Sequence, residues 1–234
     1  MIPATLNEIE QIFLAAEAKQ ARSLCVTSSH SGDGVTSTAT ALAERFLLAG
    51  FSTLLVDLNL FKPGYDVISQ FDNTDKQSEP KSIQWLQPKL GEQLFTGITL
   101  PNHPTVMVNF RNPNYLKQQI ENWLEQFDRV VIDTSPLLQN NRGNIPAQSV
   151  ASACQYTVLV VLGGETSQGS LLASHELLQR AEAKVLGVVL NNMTQRSLGE
   201  EIVRELNRCQ FIPSKLRHKL TKRLLNNEWL SHIA

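Results

Sequence analysis

The chain has 234 residues, 42% of them hydrophobic and 18% charged, enough for one sizeable α/β core and too few for two ordinary large domains. A formal net charge of -1 supplies no global pull toward nucleic acid or anionic lipid, so nucleic acid is not an expected partner. No stretch reaches the roughly 18 apolar residues of a membrane span, and no basic flank leads into an apolar run at the N-terminus. Three cysteines, Cys25, Cys154 and Cys209, lack metal-ligand spacing. These features together read as one cytoplasmic domain over residues 1–234 with reduced, packed thiols.

Thr5 to Glu8 spells a capping box, and Leu6, Ile9, Phe13 and Ala16 continue it as one apolar stripe, predicting a helix over 5–18. Leu24, Cys25 and Val26 form a short buried strand that stops at the polar loop Ser28 to Gly34. Val35, Ala39, Leu42, Phe46 and Ala49 then fall on one helical face, with Gly50 in the position of a C-cap glycine. Leu54, Leu55 and Val56 make a second buried strand ending in Asp57. From Lys62 to Pro104 the pattern weakens and reads as an insertion over the site between strands one and two. Thr105 to Asn109 reads as a strand and Asn114 to Gln126 as a helix with Leu116, Ile120 and Trp123 inward. Val130 to Ile132 is a buried strand ending in Asp133, followed by a short helix at Pro146 to Cys154 and a central strand at Thr157 to Leu162. A helix at Ser167 to Ala181 and a last strand at Lys184 to Asn191 complete the series. Continuous apolar strands alternating with helices predict a doubly wound, mostly parallel sheet.

A strand, a Gly-containing loop and a helix aim free N–H groups and a helix dipole at one point, which is the physics of a phosphate cradle. A P-loop reads G-x-x-x-x-G-K-[ST], and the eight residues from Ser29 to Thr36 occupy that frame with Val35 at the lysine position. Thr36 is placed to offer a hydroxyl to Mg²⁺, and Ser31, Gly32, Asp33, Gly34, Val35, Thr36 and Ser37 are the candidate nucleotide-binding residues. Asp57 and Asp133 end predicted parallel strands, where open α/β folds place ligands.

The stretch VTSSHSGDGVTSTATALA resembles the start of the MinD/ParA class of P-loop ATPases. It is more similar still to the cytoplasmic bacterial tyrosine kinases of capsule and exopolysaccharide export, the Wzc and CapB type. LLVDLNLFKP resembles their second acidic motif with Asn59 in place of its second acid, FDRVVIDTSPLL their Walker B strand, and KVLGVVLNN the strand whose asparagine, here Asn191, lies near the nucleotide base. The resemblance implies ATP or ADP with Mg²⁺ as cofactors, Asp57 as catalytic base, and Thr36, Asp57 and Asp133 around the metal. It also implies a membrane polysaccharide co-polymerase or export protein as partner, a homo-oligomeric ring, and a place at the inner face of the membrane. Three departures accompany it. Val35 removes the phosphate-binding lysine, the N-terminal helix has no arginine before Arg22 where relatives carry ring-forming arginines, and the tyrosines are Tyr65, Tyr115 and Tyr156 with none at the C-terminus. His30 stands where MinD/ParA relatives have a signature lysine, and Lys62 is the nearest sequence candidate for a replacement cation.

The expected function is therefore a degenerate, kinase-like regulatory or structural partner in polysaccharide export with weak or absent ATP turnover. The alternatives are an active ATPase or protein kinase whose cation comes from elsewhere, a MinD/ParA-type positioning ATPase, and a dinucleotide-binding fold. The last lacks a third glycine, which would fall at Ser37. In the C-terminal segment 213–233, Leu216, Leu220 and Leu224 continue a stripe from Ile212 among Lys215, Arg217, Lys219, Lys222 and Arg223. That pattern reads as a helix docked on the domain with a basic outer side, able to touch a membrane only peripherally.

Overall fold

The computed structural model describes residues 2–60, 62–68, 83–89, 91–100, 104–139 and 143–192, with 202, 203, 206, 220–222 and 224. The chain divides into a unit of Met1–Val161 with Thr166–Leu190 and a unit of Leu162–Glu165 with Asn191–Ala234. The elements, in order, are α1 (Asn7–Ala18), β1 (Ser23–Ser28), α2 (Val35–Leu48), β2 (Thr53–Asp57), β3 (Tyr65–Ile68), β4 (Gln84–Pro88) and β5 (Phe95–Thr99). They continue with α3 (Pro104–Phe110), α4 (Pro113–Leu124), β6 (Arg129–Asp133), α5 (Ala147–Ala153), β7 (Tyr156–Leu162), α6 (Gln168–Arg180) and β8 (Val185–Asn191).

The strands form one sheet in the order β3-β4-β5-β2-β6-β1-β7-β8. Strands β5, β2, β6, β1 and β7 pair in parallel, while β3 and β4 join the β5 side antiparallel. The parallel strands are apolar on both faces because both faces are covered. Leu24, Val26, Leu55 and Val131 meet Phe13, Ala39, Leu42 and Phe46 of α1 and α2. Their neighbours Cys25, Leu54, Val56, Val130 and Ile132 point the other way, onto Leu116, Ile120, Val150 and Leu178 of α4, α5 and α6. The thiols of Cys25 and Cys154 are buried and face each other in this second layer, which pushes the Cys154 thiol well above its usual range.

Helix α1 is held on α2 by the Arg45–Glu10 ion pair, with the Arg45 guanidinium 3.8 Å from the centre of the Phe13 ring. Helix α2 ends as its sequence requires. Gly50 adopts φ +88°, its N–H donates to the Leu47 carbonyl, the Phe51 N–H donates to Phe46, and the two phenyl rings meet edge to face. Helix α1 closes in the same way, but its left-handed residue is Gln20, at φ +53°.

Four sequence expectations change. The capping box at Thr5 does not form: α1 starts at Asn7 behind an extended Leu6 with no side-chain cap. Thr105 to Asn109 is not a strand but part of α3, where Pro104 suits a first helical turn and Val106 and Phe110, four apart, face the core. The β-branched Thr105, Val106 and Val108 gave the false strand signal. The segment from Lys62 to Pro104 is less an insertion than an extension of the sheet, since β5 is the parallel neighbour of β2. Strand β7 is not central but lies between β1 and the end strand β8. The 213–233 segment lies outside the described residues except for 220–222 and 224, which are helical.

Candidate functional site

Strand β1 feeds α2 through a turn with two left-handed glycines, Gly32 at φ +99° and Gly34 at φ +102°. Both conformations strain any residue with a Cβ, and the turn leads directly into α2, whose first N–H groups have no partner within the helix. Asp33 is buried between the glycines, and its carboxylate accepts the His30 N–H at 3.0 Å, fixing the loop from inside. The start of the loop is tied to α6. Ser29 and Ser174 share a hydroxyl hydrogen bond of 2.8 Å, and the His30 Nε2 lies 3.0 Å from the Ser170 hydroxyl.

In front of the turn is a cavity of about 380 Å³, in the range of small-molecule sites. Of the predicted nucleotide-binding residues, Ser31, Gly32, Gly34, Val35, Thr36 and Ser37 line it. Asp33 is turned inward and does not. Asn191 ends β8 in the other unit, where its carbonyl accepts the Gly163 N–H at 2.8 Å, and it is not part of the lining. Asn59, Lys62, Pro63, Gly64, Pro88, Lys89, Thr134 and Pro136 supply the opposite walls.

Asp57 and Asp133 are direct register partners on β2 and β6. The pairing brings together two acids far apart in sequence, and both are buried. Asp57 Oδ1 accepts the Asn59 N–H and Oδ2 the Gly64 N–H, each at 2.9 Å, so the residues following β2 form a strap folded back over their own strand end. Burial raises the Asp57 carboxyl from 3.8 to about 6, against the pull of the Asn59 and Gly64 N–H groups and the positive charge of Lys89. Asp133 goes further: burial first and then the Asp57 charge push it well above the carboxylate range, with the Thr36 hydroxyl opposing. Neither of its side-chain oxygens makes a hydrogen bond.

A buried carboxylate pair, in which the two Asp133 oxygens are unpartnered, beside the Thr36 hydroxyl is a hard-oxygen donor set that suits Mg²⁺. The residues fit the ion in kind. In this conformation, however, the strap rests on them: a Cβ on Gly64 would fall 2.8 Å from Thr36 Oγ1 and 3.2 Å from Asp133 Oδ2. Tyr65, buried next to it, places its hydroxyl 3.0 Å from the Thr40 hydroxyl and donates to the Thr36 carbonyl at 3.3 Å. Gly64, Tyr65 and Lys89 carry no motif at the sequence level. They enter the site only because β3 and β4 pair with each other and run back beside the strap.

A glycine turn between the first strand and helix of a parallel sheet, with acids ending the two strands beside it, defines the P-loop NTPase architecture, here with valine at the lysine position. Solved structures of that architecture superpose on it. The chimerical protein CapA2B2 matches with a TM-score of 0.58 at 23% identity, covering 79% of this chain and 81% of the other. MinD of Pyrococcus horikoshii, solved with Mg-ADP, matches with a TM-score of 0.50 at 16% identity, covering 85% and 76%. In sequence, tyrosine-protein kinase YwqD of Bacillus subtilis is 27% identical over 188 residues, 77% of this chain and 76% of YwqD. Tyrosine-protein kinase CpsD of Streptococcus pneumoniae serotype 4 is 28% identical over 181 residues, 73% of this chain and 75% of CpsD. No family model matches the chain. Its homologues are bacterial tyrosine kinases, and its fold is shared with their kinase domains and with MinD.

Proposed function

We propose that this protein is a kinase-like P-loop partner in capsule or exopolysaccharide biosynthesis and export, regulatory or structural in its role, that holds nucleotide phosphates weakly and turns ATP over slowly or not at all. It would act in the cytoplasm, at the inner face of the membrane, through a membrane polysaccharide co-polymerase. Its likeness to capsule-type tyrosine kinases and to the CapA2B2 chimera supports the setting.

The observation that carries the reading is Val35. It lines the cavity at the place of the P-loop lysine, in a turn otherwise built for phosphate. One lost charged hydrogen bond weakens binding by roughly 1.5 to 3 kcal/mol, or about 10- to 150-fold. A missing positive group at the transition state slows chemistry by on the order of 10² to 10³. Binding is thus easier to retain than turnover. Where Mg²⁺ binds, Thr36, Asp57 and Asp133 are the residues to hold it, and the ion would neutralise phosphate charge. Asp57 can accept a proton once the Gly64 strap lifts from it.

The reading is tested by mass spectrometry of small molecules released from the purified protein, followed by calorimetric titration with ATP and Mg²⁺. Adenine mononucleotide with affinity weaker than micromolar is expected. Sub-micromolar affinity with steady phosphate release would instead establish an active ATPase or kinase, and a released dinucleotide would overturn the fold-based reading of the site.

A further inference from the structure

Two lysines, Lys62 and Lys89, line the cavity with the glycine turn, and no carboxylate lines it among the described residues. The two lysines make the described wall positive, in a cavity that is also lined by Gly34, Val35 and Thr36 at the start of α2. Lys89 follows β4 immediately, and its position is fixed twice. Its main-chain N–H donates to the Gly64 carbonyl at 3.2 Å, continuing the β3–β4 ladder beyond Pro88, and its ammonium donates to the Pro63 carbonyl at 2.8 Å. It is also the lysine whose charge reaches the Asp57 carboxylate. Among the described residues Lys62 is anchored through its main chain, by the Asn59 side chain at 3.2 Å.

We infer that Lys89 is the phosphate-neutralising cation of this cavity, delivered from the end of β4 and compensating only in part for the lysine that Val35 replaces. The inference rests on the nucleotide reading of the same site. A neutral carbonyl is a weaker partner for an ammonium than a phosphate oxygen, because the phosphate adds the attraction of a full opposite charge to the hydrogen bond. A phosphorylated ligand therefore draws the Lys89 ammonium from Pro63. That exchange releases one of the two bonds by which Lys89 holds the strap over Thr36 and Asp133. Ligand capture and uncovering of the acidic pair are coupled through one side chain.

The test is calorimetric titration of wild type, Lys89→Met, Lys89→Arg and Lys62→Met with ADP and with inorganic pyrophosphate, at two salt concentrations, with melting temperatures recorded for each variant. Expected are a loss of about tenfold or more for Lys89→Met with a weaker salt dependence, near-wild-type binding for Lys89→Arg, and a smaller loss for Lys62→Met, all with unchanged melting temperatures. Pyrophosphate must report the same order as ADP, since the contact is to phosphate. Wild-type binding in Lys89→Met, or a larger loss in Lys62→Met, overturns the assignment and leaves the nucleotide site standing. Absence of binding of both probes to wild type at millimolar concentration overturns the site and the assignment together.

Discussion

The buried Asp57 and Asp133 pair should contribute stability that is lost as pH rises through about 6, the reverse of ordinary acid behaviour. A carboxyl titrating near 3.8 in the unfolded chain and at about 6 in the folded one binds its proton more tightly when folded. Its contribution is therefore fully present below the unfolded value and lost as pH climbs through about 6. A shift of about 2 units corresponds to about 3 kcal/mol in total, of which about 1.4 kcal/mol falls between pH 5 and pH 8. Asp133, raised in the same direction, adds to the slope with the same sign. Urea unfolding at pH 5, 6, 7 and 8 in the presence of a metal chelator measures the effect. The reference is the double variant Asp57→Asn with Asp133→Asn, so that contributions common to both proteins cancel in the difference. Wild-type stability minus that of the variant should fall by at least about 1.4 kcal/mol across the window. A difference that is flat or rises would refute the reasoning, because it would mean the pair is charged and compensated in the fold.

Val35→Lys should tighten ADP binding at least about tenfold by calorimetry, since a restored charged contact contributes roughly 1.4 kcal/mol or more; unchanged affinity in a folded variant would mean that something other than the missing charge limits the cradle. Incubation with ATP and Mg²⁺ should leave no phosphotyrosine detectable by antibody, because Tyr65 is buried and Tyr115 and Tyr156 are half-buried within the fold. Gln20→Gly should raise the unfolding free energy by about 1 kcal/mol in urea titration, since a left-handed residue with a Cβ costs roughly 1 to 2 kcal/mol and the closing bonds of α1 are main-chain bonds that glycine retains.

Much of the parallel core is legible in the sequence because runs such as Leu54 to Val56 and Val130 to Ile132 are apolar on both faces and end in acids. Strand, turn and helix around Gly32 and Gly34 are equally visible, since the change of period and the two glycines fall at one place. What escapes is the side of the sheet beyond β2. Strand β5 contains Gly97, a residue that normally argues against a strand. Here it is required, because a Cβ at that position would press on the Leu55 carbonyl and the Leu86 side chain. That requirement belongs to the neighbouring strands and is absent from the local pattern. Lys89 was unreadable for the same reason: its place at the cavity depends on the antiparallel pairing of Tyr65 with Pro88, a tertiary fact. Asp57 and Asp133 were each recognisable, but that they stand side by side, with the Gly64 backbone laid over Thr36, follows only from register and from the path of the strap.

The strand order also sets when the glycine turn can be fixed in place. Strand β1 lies between β6 and β7, so the third residue of β1, Cys25, finds one neighbour at Ile132 and the other at Thr157. On a ribosome emitting about 5 to 20 residues per second, the glycine turn emerges many seconds before either flank of its strand has been synthesised. Until then β1 has two open edges. Long-range pairing of this kind makes folding slow and leaves the nascent chain prone to association. The glycine turn comes first in the chain and is flanked last, which makes its completion a reporter for closure of the sheet around β1.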